Sequence, residues 1–121
     1  MAKPELVEKL VVLTISDPWD FGEECGVRPF YGRITDVDNN RLLIELDAPI
    51  LYQSINYLAA FGQVRHVDSS VSDLLVPSKP LVPMNITLLH REVERFADLG
   101  NDAFVRNVAV IGDVRLHEAS Q

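Results

Sequence analysis

The sequence predicts a mainly β domain: a small six-stranded bent antiparallel sheet or partly open barrel, OB-like or Sm-like, with at most one short helix. Three observations carry this expectation. Apolar residues alternate with polar ones, or gather in β-branched runs of strand length. Asp, Asn, Gly and Pro separate these runs with turn chemistry. Gly62 and Gly112 fall inside strand-like runs, where a glycine marks a bend or bulge at a barrel corner. A strongly bent sheet with one covering helix is the alternative arrangement.

Each element has its own warrant. Residues 10–15, LVVLTI, are β-branched and too short for a helix, so they form the first strand. Residues 16–29 hold two prolines and two glycines and read as a loop. Residues 30–37 form the second strand, with Phe30, Gly32 and Ile34 on one face and Tyr31, Arg33 and Thr35 on the other. Asp38, Asn39 and Asn40 supply a turn, and residues 41–47 alternate as the third strand. Pro49 is expected to end that strand, leaving residues 50–56 irregular or a helical turn.

Residues 57–67 read as the fourth strand, and a helical turn is compatible with residues 71–75. Residues 82–90 make the fifth strand, with Pro83 confined to an edge position. Leu89, Val93, Phe96 and Ala97 fall at helical spacing before Gly100, so the stretch 91–106 is expected to contain a short helix. Residues 107–117 close the set as the sixth strand. The length of 121 residues fits one domain, 1–121, and suffices for one core without disulfide or metal.

Charge narrows the partners. The chain carries 18 acidic and 11 basic side chains, a formal net charge of −7. Five basic and ten acidic residues lie in positions 1–50, so most of the excess is there. Such a field disfavours nucleic acid and anionic membrane and favours a basic partner. No apolar run approaches the roughly 20 residues of a spanning helix, and the first residues lack a signal-peptide pattern. A cytoplasmic location is expected. Cys25 is the only cysteine, so no internal disulfide is possible.

The most unusual stretch surrounds Trp19. Asp17, Asp20, Glu23 and Glu24 set four carboxylates around Trp19 and Phe21 in a loop. Aromatic residues anchor interfaces, and rim carboxylates select a basic partner. These six residues are therefore the expected binding site of a non-catalytic interaction module, of the inhibitor or immunity-like kind, that recognises a basic protein. The competing reading makes Trp19 and Phe21 a plug in the end of a barrel. A second expectation is a small-molecule-binding barrel whose pocket is lined by Phe30, Tyr57, Leu58, Phe61, His66 and Val110. A third is a single-stranded nucleic-acid-binding barrel using Tyr31 and Arg33 beside Arg65 and His66. The plain reading of the first two packs Tyr31 and Arg33 on each other.

Catalysis has little support. Glu23 and Glu24 flank Cys25 and oppose the lowered pKa that a nucleophilic thiol needs. No Gly-x-Ser-x-Gly elbow and no phosphate-binding glycine loop occur. His66, His90 and His117 stand in three different strands, which leaves only a site assembled across the barrel. Asp36, Asp38 and Asn40 resemble calcium-loop spacing, but Arg41 occupies the glycine position, so a hairpin turn is expected. No metal or cofactor is expected. Leu88, Leu89, Val93, Phe96, Ala97 and Leu99 form an apolar stripe, read as core or as a partner surface. Open sheet edges would favour a homodimer.

Overall fold

The computed structural model describes residues 6–17, 29–38, 40–52, 54–66, 70–75, 81–99 and 108–117. Six strands make up most of it: β1 (Leu10–Asp17), β2 (Phe30–Val37), β3 (Arg41–Tyr52), β4 (Ile55–Val64), β5 (Val82–Leu89) and β6 (Val108–Leu116). They form a closed antiparallel barrel in which every strand pairs with its neighbour in sequence and β6 pairs back onto β1. The small β-barrel read from the sequence is therefore present, with an up-and-down strand order and complete closure. Closure leaves this sheet without the open edge on which the homodimer expectation rested.

Inward positions follow the two-residue period. Val11, Leu13 and Ile15 of β1, Leu42, Ile44 and Leu46 of β3, and Met84, Ile86 and Leu88 of β5 fill the interior with Val110 and Val114 of β6. No polar or charged residue is buried among the described residues. So small a barrel is filled by its own side chains. Two glycines make room for close approach between strands. A Cβ at Gly112 would lie 2.2 Å from the Thr14 carbonyl oxygen, and one at Gly32 would lie 2.6 Å from that of Glu45. At both positions only the missing side chain lets the neighbouring backbone approach so closely.

The two barrel ends are closed differently. At the end where β1 begins, Leu6 enters the core, joined by Val71 and Leu74 of the 3-10 turn Val71–Leu75. Glu8 has φ 76°, a left-handed turn that reverses the chain out of this plug. Its N–H then donates to the Ile34 carbonyl. At the opposite end Ile50, Tyr52 and Tyr57 are buried.

Four expectations change. Pro49 does not end β3, which runs on to Tyr52. Pro49 lies in a register shift between Glu45 and Ile50, where the ladder asks no N–H of it. Residues 50–52 and 55–56 are accordingly strand, with Ser54 at φ 69°. In place of a helix, the described part of 91–106 holds only the 3-10 turn Phe96–Asp98. Its apolar spacing is satisfied by packing on the barrel wall, as set out below. Pro83 is not on an edge: closure pairs it with Asp113 of β6, and its carbonyl accepts from Arg65 N–H just past the end of β4.

Candidate functional site

Asp17 is the last residue of β1 and pairs with Ile111 of β6. Trp19, Asp20, Phe21, Glu23, Glu24 and Cys25 lie outside the described residues. Topology nevertheless fixes where their segment is tethered. It joins the end of β1 to the start of β2, at the barrel end that also carries the β3–β4 hairpin tip. That tip exposes two large apolar side chains, Leu51 at 57% and Ile55 at 43%. The tip is a feature that the reading of residues 50–56 as irregular missed.

The expected small-molecule pocket does not gather its six residues. Phe30, Tyr57 and Val110 face the interior. Phe61 belongs to a separate cluster on the outer wall, Leu58 is half-buried, and His66 is exposed beyond the end of β4. The register shift between β3 and β4 turns Tyr57 inward three residues before Ala60, which a strict alternation does not foresee. Burial pushes the Tyr57 phenol above its ordinary pKa.

The basic and aromatic face of β2 is built otherwise than expected. Tyr31 packs against His117, with ring centroids 5.0 Å apart, and not against Arg33. Arg33 donates from Nη2 to Glu45 Oε1 at 2.6 Å and from Nη1 to Glu8. The bond to Glu45, then that to Glu8, raise its pKa further above an already high value. Two carboxylates thus neutralise the cation that a nucleic-acid groove would need.

The histidines are dispersed. His66 and His117 follow β4 and β6 at one barrel end, and His90 follows β5 at the other. Among the described residues no group of three or more His, Cys, Asp or Glu side chains lies together at a metal-binding spacing. The Asp38 carboxylate is taken up by the hairpin turn: Oδ1 accepts from Asn40 and Arg41 N–H, and Oδ2 accepts from Arg41 Nε at 2.6 Å. Burial pushes its pKa up, but the Arg41 hydrogen bond and the two backbone donors outweigh that and bring it below the ordinary value.

A second apolar cluster covers the outside of the barrel. Leu43, Ala59, Phe61 and Leu89 make an apolar patch on β3, β4 and β5. The strap formed by residues 91–99 crosses it, placing Val93, Phe96 and Leu99 against the patch. It starts where β5 ends and reaches the opposite barrel end, where Asp36 Oδ2 accepts the Phe96 N–H at 2.9 Å. Arg41 lies over the Phe96 ring at 4.7 Å, and Phe96 meets Phe61 edge-to-face at 6.0 Å. Asp36 and Arg41 are thus partners of the strap, roles that the calcium-loop comparison did not suggest. The apolar stripe 88–99 is divided: Leu88 is interior, Leu89, Val93, Phe96 and Leu99 are on the outer wall, and Ala97 is exposed.

No helix among the described residues is long and apolar enough to cross a membrane. Comparison with protein-family models, with curated proteins and with solved structures finds no match to this chain.

Proposed function

We propose that this protein is a small non-catalytic binding domain that recognises a basic protein partner through the acidic, aromatic segment Asp17, Trp19, Asp20, Phe21, Glu23 and Glu24. The observation that carries the reading is the contrast between connections. Three connections are long, residues 18–29, 65–81 and 90–107, and the first sets Asp20, Glu23 and Glu24 beside Trp19 and Phe21 with Arg28 as its one basic residue, whereas the third offsets its acids with three arginines. A long connection on a rigid scaffold is where recognition residues collect. Two further facts support a basic partner. The chain's net charge is −7. Arg33 and Arg41 are both paired with carboxylates of the barrel itself.

The test is calorimetric titration with purified basic proteins, comparing the wild type with a Trp19→Ala/Asp20→Ala double variant. Removal of an aromatic anchor and its rim charge is expected to weaken a saturable complex by about 30-fold or more. Rising salt should weaken the wild-type complex as well. Equal affinity in the double variant would overturn the assignment to this segment.

A further inference from the structure

We propose that the protein pairs with a second copy of itself through the outer wall of β6, β1, β2 and β3, about a two-fold axis that passes between Val12 and Tyr31 and sets Arg115 of each copy against Asp47 of the other. The contact uses a sheet face and no strand edge. It involves no residue of the acidic segment around Trp19, so its test stands apart from the function proposed above.

The register lays this wall out. Val12 pairs with Arg115 on one side and with Tyr31 on the other. Asp47 stands one step beyond the Gly32–Leu46 pair of β2 and β3, level with Tyr31. Arg115, Val12, Tyr31 and Asp47 therefore form one row across four adjacent strands. Their chain neighbours Val114, Val11, Leu13, Phe30 and Leu46 are in the interior, so the row faces outward.

The row has an apolar centre and charged flanks. Leu10 and Tyr31 stay exposed at 43% and 42%, and they are diagonal neighbours on β1 and β2. Tyr31 is held in place, because its ring meets that of His117 across β1 with centroids 5.0 Å apart. An aromatic ring held in one orientation loses little freedom on binding, and tyrosine and arginine are among the side chains that dominate interfaces. Arg115 and Asp47 are exposed. Neither enters an ion pair among the described residues, whereas Arg33 and Arg41 do.

The spacing identifies the occupant. The midpoint of the row falls between Val12 and Tyr31, with Arg115 and Asp47 one and a half strand spacings to either side, about 7 Å. Opposite charges at equal distances from an apolar centre make a surface complementary to itself. Two-fold rotation about the midpoint exchanges the flanks, so each cation meets the other copy's carboxylate and the two Tyr31 rings meet at the centre. The exposed hairpin tip has no such property. Leu51 and Ile55 lie in a stretch, residues 48–64, without a charged residue, which offers nothing to orient a partner.

The experiment is sedimentation equilibrium of the full chain from about 5 to 500 μM, the range in which an interface of modest size assembles. The weight-average mass is expected to rise from that of one chain toward that of two. Arg115→Asp and Asp47→Arg should each raise the dissociation constant by about tenfold or more, since each sets like charges together at two places. The double variant Arg115→Asp/Asp47→Arg restores opposite charges and should dimerise as the wild type does. Tyr31→Ala should weaken the dimer by about tenfold as well. A wild type that stays monomeric throughout, a dimer that either charge variant leaves intact, or a double variant no better than the single ones would each overturn the proposal. Arg115 and Asp47 belong to neither core, so the charge variants should keep the wild-type urea midpoint, and the charge exchange decides the matter even if Tyr31→Ala fails to fold.

Discussion

Leu42 and Leu43 are neighbours in the chain, equally buried at 0% exposure, and belong to different cores. Leu42 points into a barrel closed by six strands, in a core made mostly of strand residues held by backbone ladders on both sides. Leu43 points outward beneath a strap whose regular structure among the described residues is one 3-10 turn and whose Phe96 N–H donates to Asp36. Equal burial therefore does not mean equal structural consequence. What differs is whether the groups above a side chain can move away without breaking the sheet.

The largest expected effect tests the rigid side of that contrast. Gly112→Ala would bring a Cβ within 2.2 Å of the Thr14 carbonyl, a backbone atom at the β1–β6 closure. The seam must then part, at a cost of about 3 kcal/mol or more in urea unfolding. A smaller shift would mean that the barrel relaxes at its closure as a loop does.

Leu42→Ala and Leu43→Ala probe the two cores directly. The interior change should cost about 3–4 kcal/mol, because the surrounding strands cannot collapse into the cavity. The outer change should cost about 2 kcal/mol, since the strap can settle into the vacated space. Reversal of that order in chemical denaturation would erase the distinction between the cores.

Thr35→Val addresses the join between them. The Thr35 hydroxyl oxygen is buried without a hydrogen-bond partner, at the β2 register shift immediately before Asp36. Replacing it with a methyl group should stabilise the protein by up to about 1 kcal/mol, visible as a raised Tm. A clear loss of stability would show that the hydroxyl matters to the bulge.

The smallest effect is a pH dependence. Asp38 has a folded-state pKa below its ordinary value of 3.8, so its contribution to stability is present above that value and is lost as pH falls below it. Its partner Arg41 also carries Phe96, so acid should loosen the strap together with the hairpin turn. Asp38→Asn should flatten the stability profile below about pH 4 relative to the wild type. An unchanged slope in that window would separate the turn from the strap.

Much of the barrel was legible in the residues. β2 spans the residues its alternation predicts, because Phe30, Gly32 and Ile34 face inward without interruption. The close approach at Gly112 was legible too, beside the register shift of β1, whereas Gly62 sits in regular register and meets only the side chains of Met84 and Leu42. The strap was less so. Leu89, Val93 and Phe96 are spaced for a helix, yet a nearby apolar wall satisfies the same spacing with irregular backbone. Of the candidate binding site, only Asp17 falls among the described residues, at the end of β1.

By itself, then, the sequence determined a charge of −7, a strand count and the inward face of most strands, because these depend on local composition and a period of two. Tertiary structure alone decided closure, the end of β3 and the separation of Phe61 from Phe30 and Val110. The run of β3 past Pro49 and the inward turn of Tyr57 go with the register shift at Glu45/Ile50, and two further shifts stand at Ile15/Asp17 and Ile34/Asp36, whereas Phe61 faces outward within regular register. A bulge is set by how a strand fits its partners around a closed ring, and no single strand carries that information.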